Sequence, residues 1–433
     1  MSYKCHYLSV RWIQLYVVLL GEILTVNPNL YSSQRFFMKK IITTLLTRLS
    51  LTSVSFIGLP AMAAIGDNVL HIDLAESTKQ ITVDEGRSRV FIPDTASNTV
   101  RILDLKNLSE MNALVLNAPA YDVAISDALD RIYITLGDAT HIAVFDASSM
   151  ERLDDIVLPE TGYEVVADDD YLYVSAYESY SGVMRVDLAS EQYDHTFKGS
   201  LFTYNRAMLA LSPDNSKLYV ANSGVLPLSL GVFDLTGVTP NLTLKNDSGV
   251  LGSNGASLSV DPVSGNYVSV AATGGNTDGY DTYVLNAQSL DVVSQLDTDS
   301  FPRAVSYSQD GESIYTAHGN DSILKWDTES AEITQTIAIT GQAQVMTEAY
   351  GGSYLIVGNK SNAIDVYEIA TPTLKLNTVT TGIAVQEVVC YNTTSKQKII
   401  FTGGSSNIAD CVANGLVITS GDKVRVDING EVE

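Results

Sequence analysis

The residues best placed to do chemistry in this 433-residue chain are Asp122, Glu164, Arg206, Arg303 and His318. A carboxylate near a guanidinium can hold a polar ligand or move a proton. Ion pairing between neighbouring structural units is the plainer use of the same residues. The histidines beyond residue 64 are His71, His141, His195 and His318, with no H-x-x-x-H or H-x-x-E-H spacing. A histidine metal site is therefore not expected. His318 opens the loop Ala317-His318-Gly319-Asn320 and is the best single histidine; one satisfied within its own loop is the alternative. No G-x-S-x-G elbow, P-loop or dinucleotide fingerprint occurs. Asp168-Asp169-Asp170 and Asn276-Thr277-Asp278-Gly279-Tyr280-Asp281 carry oxygen ligands of the kind Ca²⁺ takes, with solvated turns as the default. No other cofactor is expected.

The elements that position these residues repeat along the chain. Seven apolar runs end in an acidic residue or Asn, at Asp104, Asp146, Asp187, Asp234, Asn286, Asp327 and Glu368. Their spacings are 42, 41, 47, 52, 41 and 41 residues, which is the signature of a repeat architecture. Each run has an upstream partner, such as Tyr133-Ile134-Thr135, Tyr173-Val174-Ser175 or Tyr219-Val220-Ala221. Turn sequences such as Ser212-Pro213-Asp214-Asn215 and Ser308-Gln309-Asp310-Gly311 precede the partners. A third run lies before each turn and a fourth after the acidic position. Helical repeats need apolar i, i+3, i+4 patterns over ten or more residues, whereas these runs last four to six. Four short strands per unit predict an all-β, seven-bladed β-propeller.

In such a fold the first strand of each unit lines an axial channel. Register from the turns puts Asp122, Glu164, Met208, Ser257 and Ala304 at equivalent positions, flanked by Arg206 and Arg303. The long intervals carry extra residues at 223–229 and 272–280, and Tyr177-Glu178-Ser179-Tyr180 falls at the same place. All lie between second and third strands, so they emerge on one face, where binding loops belong.

Tyr219-Val220-Ala221-Asn222, Tyr133-Ile134-Thr135 and Asn98-Thr99-Val100-Arg101-Ile102-Leu103-Asp104 resemble the two halves of the YVTN repeat of bacterial exported and surface proteins, kin to WD-repeat propellers in shape. The resemblance covers about residues 79–380. It implies a propeller and leaves the chemistry open, because such propellers include binding modules and relatives of lactonases and dehydrogenase subunits. Quinone-dependent propeller enzymes use repeated tryptophans between blades, and beyond residue 63 only Trp326 is present.

The two ends depart from the repeat. Met38-Lys39-Lys40, an apolar stretch and Ala61-Met62-Ala63-Ala64 make residues 38–63 a secretory signal peptide. A membrane anchor is the alternative. Residues 1–37 read as an over-long start, with a two-span anchor as the other reading. Removing 1–63 takes out six basic residues and one acidic residue. The remainder has 20 basic and 49 acidic side chains, a net charge of −29 against −24 for the whole chain. That balance excludes a phosphate-backbone binder and so predicts no nucleic-acid partner. Cys390 and Cys411 remain, and in an exported chain they are expected to pair. Their loop would contribute about 3 kcal/mol in the chain-entropy description. Residues 64–380 form the propeller and 381–433 a small C-terminal β appendage. Residues 67–75 alternate like a strand and compete with 371–380 to close the ring.

The functional expectation is a periplasmic or extracellular, non-catalytic binding or interaction module. It would take a protein or a polar small molecule at a propeller face, with no stable membrane span after cleavage. A lactonase- or hydrolase-type enzyme using the channel carboxylates is the alternative.

Overall fold

The computed structural model describes residues 65–369 apart from short loop segments (138, 179–180, 202–205, 224–225, 275–279, 299–300, 318 and 320). It also describes the backbone of three later strands, Ile383–Asn392, Lys398–Phe401 and Val424–Val432. The expected leader, His318 and Cys411 lie outside the described residues, as does the side chain of Cys390.

Seven antiparallel sheets follow one another along the chain, each one blade. Their innermost strands are Thr82–Asp84, Ala120–Ser126, Gly162–Ala167, Met208–Leu211, Ser253–Val260, Val305–Tyr307 and Ala343–Ala349. The protein is a seven-bladed β-propeller. The three later strands make a separate sheet, with Ile383–Asn392 in the middle. Among the described residues no helix is long and apolar enough to cross a membrane.

The repeated acidic position owes its place to turn geometry. Asp146 accepts the backbone N–H groups of Ser148 and Ser149 at 3.1 and 2.8 Å. Asp187 accepts Ser190 N–H, and Asp327 accepts Ser330 N–H, both at 2.8 Å. Asp104, Asp234 and Asn286 bond two residues ahead, each at 2.8 Å. Each is a side chain that turns the third strand into the fourth. The hydrogen bonds hold the carboxyls of Asp146, Asp187, Asp234 and Asp327 below the usual range. The acidity of the chain thus arises in part from its turns.

The second strands are buried on both faces, for example Arg89–Asp94 and Tyr354–Asn359. Their side chains fill the spaces between blades. Seven hydrophobic clusters occur among the described residues, and each joins two adjacent blades. Tyr133, Tyr173, Tyr219 and Tyr315, which begin or nearly begin the repeat's second strand, are fully buried in four of these clusters. A blade has no core of its own, so the seven depend on one another.

The ring is closed by the N-terminal strand. Asn68–Asp73 adds to Ala363–Glu368 as the outermost strand of the seventh blade. Ile72 and Leu74 enter the cluster between the seventh and first blades. Asp365, buried beneath this seam, accepts Asn68 Nδ2 at 2.6 Å, is bonded to His71 Nδ1 at 2.6 Å, and also accepts Asn359 Nδ2. The choice left open by the sequence is made by residues 67–75.

A second tie joins the blades near the axis. Glu85 accepts the N–H groups of Tyr350 and Gly351 at 2.7 and 3.3 Å and the side chain of Gln309 at 2.5 Å. First, sixth and seventh blades meet at this carboxylate.

The axial channel as candidate functional site

Two cavities of about 490 and 540 Å³ line the channel and share Gln80, Glu164 and Leu209. The first lies where the second strands of the fourth and fifth blades end, with Ser223 and Thr273 on its wall. The second opens among the turns on the opposite face, with Pro262 and Gln309 on its wall.

The two expected carboxylates line this channel but face the blade seams. Asp122 Oδ1 accepts its neighbour Val123 N–H at 2.8 Å, and Oδ2 accepts Val165 N–H of the next blade at 2.8 Å. Glu164 Oε2 accepts Leu209 N–H of the fourth blade at 2.8 Å, and the Gln80 side chain also bonds to the group. Ser257 repeats the relationship, accepting Val305 N–H at 3.2 Å. In each case the acceptor reaches the residue just past its own equivalent in the following blade. These are inter-blade ties to main chain rather than the salt bridges expected as their structural use.

Burial dominates their acidity. Asp122 is pushed up to about 7 by loss of water, against the opposing pull of its two N–H donors. Glu164 is raised well above the usual carboxylate range by burial and by the nearby Asp122 carboxylate. Glu348, which the sequence reading did not single out, is a third channel carboxylate. It accepts Gln309 N–H at 2.5 Å and Tyr315 Oη at 3.1 Å, and burial raises its pKa.

Arg206 and Arg303 both line the first cavity, where Lys79 joins them. Arg206 sits at φ 60°, an uncommon conformation for a side chain with a Cβ. A bracket of tyrosines holds it there. Its guanidinium lies 4.1 Å from the centre of the Tyr177 ring and 5.2 Å from that of Tyr163, and Nη2 donates to Tyr177 Oη. Tyr121 stacks on Tyr177 at 5.4 Å and 9°. Gly137 makes room for it, because a Cβ there would lie 2.7 Å from Tyr121 Cζ. Ser223 Oγ donates to the Arg206 carbonyl at 3.2 Å.

Lys79 was missed because its inner strand is only three residues long and gives little register. A signal did exist. A basic residue stands two or three positions before the inner strand in three of the repeats, as Lys79, Arg206 and Arg303. Of the possible calcium ligands, Asp168 accepts the N–H groups of Asp170 and Tyr171 at 2.8 and 2.5 Å and Tyr173 Oη at 2.9 Å, as a turn carboxylate does. Residues 276–279 lie outside the described residues. Among the described residues no group of three or more His, Cys, Asp or Glu side chains is arranged to hold a metal.

Fold and channel define the chain as a seven-bladed propeller with a polar axial cavity. Its structure is similar to that of Kuenenia stuttgartiensis hydrazine synthase, with a TM-score of 0.57 and 13% sequence identity over 72% of this chain and 99% of that one. At that identity the likeness is one of fold. No family model matches the sequence, and no curated protein matches it.

Proposed function

We propose that this chain is an exported, non-catalytic binding propeller of the YVTN-repeat kind, with its ligand site at the loop-rimmed end of the axial channel. One observation carries the reading. The buried carboxylates that an acid–base mechanism would use, Asp122 and Glu164, each give one oxygen to a main-chain N–H of the following blade, and each is held further, Asp122 by Val123 N–H and Glu164 by the Gln80 side chain. An acid–base pair instead needs free oxygens converging on a substrate atom. The neighbouring cavity, at about 490 Å³, is of the size that encloses small molecules. Its wall includes the ends of the second strands of the fourth and fifth blades, at Ser223 and Thr273, beside the place where binding loops belong. The repeat's buried tyrosines support the family assignment, and the leader sequence supports export.

Calorimetric titration of the purified protein with a panel of small polar metabolites, run beside lactone and ester hydrolysis assays, tests the proposal. Binding without turnover is expected. Hydrolysis that disappears in both Asp122→Asn and Glu164→Gln would establish the enzymatic alternative.

A further inference from the structure

Eight arginines lie between residues 65 and 369. Six of them, Arg87, Arg89, Arg101, Arg131, Arg152 and Arg185, pair with a described carboxylate within 4.0 Å. The two that do not are Arg206 and Arg303, and both line the same cavity. Lys79, on the same wall, has no ion-pair partner among the described residues either. In a chain of net charge −24 carboxylates are in excess, so unpaired guanidiniums gathered at one place need a reason.

The surroundings sharpen it. Glu164 is the carboxylate on this wall, and its raised pKa and bond to Leu209 leave it a poor counter-charge. Tyr163 is also held neutral, its pKa raised mainly by burial. Arg303 Nε is buried with no hydrogen-bond acceptor among the described residues, and a buried donor left unsatisfied is destabilising. Arg206 is held in a left-handed backbone conformation, and its guanidinium is fixed by aromatic rings and not by an acid. A half-buried cation oriented without a counter-ion is pre-organised for one that arrives from solution. Low-dielectric walls focus the field of such a cluster even within an acidic protein.

We infer that the loop-rimmed cavity binds a small organic oxyanion carrying at least two negative charges, gripped by Arg303 and Arg206 with Lys79 at the mouth. Planar guanidinium groups match carboxylate and phosphate oxygens in pairs. Asn254 and Gln344 supply neutral polar contacts for the ligand's body. The inference rests on the channel being a binding site and adds the charge class of what it binds.

The test is calorimetric titration of the whole protein with succinate, citrate, inorganic phosphate and glycerol phosphate. Glucose is the neutral comparison and putrescine the cationic one. The dianions and trianion are expected to bind, more weakly at 0.5 M salt than at low salt. Binding should fall about tenfold or more in Arg303→Gln. It should also fall in Lys79→Gln, whose exposed side chain leaves the fold intact. Preference between the carboxylate and phosphate arms identifies the headgroup. If glucose binds and the anions do not, the anion assignment is overturned while the binding module stands. If anions bind with unchanged affinity in both variants, the site is misplaced. If nothing in the panel binds, both readings fall.

Discussion

The carboxylate of Asp122 in the second blade accepts the main-chain N–H of Val165 in the third at 2.8 Å. A side chain aligned with the channel thus ties two blades together. Its pKa of about 7 is raised from 3.8, so the folded protein binds this proton more tightly than the unfolded chain. Its stabilising contribution is complete below the unfolded value and is lost as pH rises through about 7. Urea denaturation should therefore show falling stability between pH 5 and pH 8. The whole contribution of this one group is about 4 kcal/mol, and somewhat more than half of it is lost between pH 5 and pH 8. Asp122→Asn should flatten that slope, even if it lowers stability at pH 5 by weakening the tie. An unchanged slope would assign the effect elsewhere.

His71 acts in the same direction at the closing seam. Its pKa is raised, chiefly by the hydrogen bond to Asp365. The exposed ring makes its share small. Asp365 itself is buried, with three side chains turned toward it. Asp365→Ala should cost about 1–3 kcal/mol by leaving the Asn359 amide unsatisfied. Amide exchange should rise first in Asn68–Asp73, because the lost bonds hold that strand. Uniform loosening of all blades would contradict this.

Tyr219 separates packing from hydrogen bonding. Its ring is fully buried between the fourth and fifth blades, while its hydroxyl has no partner among the described residues. Tyr219→Phe should be neutral within about 0.5 kcal/mol or slightly stabilising, whereas Tyr219→Ala should cost about 3–5 kcal/mol. Tyr315→Phe, which removes a bond to Glu348, should be the costlier of the two Phe variants. The three midpoints in urea give the comparison directly.

Gly255 permits a close approach of the fourth and fifth blades at the cavity wall. A Cβ there would lie 2.7 Å from the Asn222 carbonyl oxygen, Leu228 Cδ1 and Met208 Cε. Gly255→Ala should cost about 1–3 kcal/mol through displaced backbone. Because Gly255 also lines the cavity, the same variant should weaken ligand binding in calorimetry. Full affinity in a destabilised Gly255→Ala protein would place the ligand elsewhere.

The seven blades could be read from the sequence because each repeat carries its own local devices. The acidic residue turns the third strand, and Tyr133, Tyr173, Tyr219 and Tyr315 mark the second. The period-two geometry of a strand then carried Asp122 and Glu164 to the channel. What could not be read was the partner of each group. Val165, Leu209 and Val305 offer main-chain N–H groups, which leave no trace in residue type. Ring closure was hidden for a related reason, since in the sequence residues 67–75 and 371–380 compete for the same edge. The bonds of Asn68 and His71 to Asp365 and the cluster holding Ile72 and Leu74 show only in three dimensions. The cationic cavity lay between these extremes. Arg206 and Arg303 were recognisable by position, but that neither has an acidic partner among the described residues shows only in three dimensions.

Closure by Asn68–Asp73 also orders events during synthesis. The strand made first must wait for Ala363–Glu368, nearly 300 residues later, before it has a partner. Until then the nascent protein exposes two open sheet edges and one unfilled wedge between blades. A chain cut short before Ala363–Glu368 would therefore leave Asn68–Asp73 without the strand it pairs with, and the first blade without the neighbour that covers its outer seam.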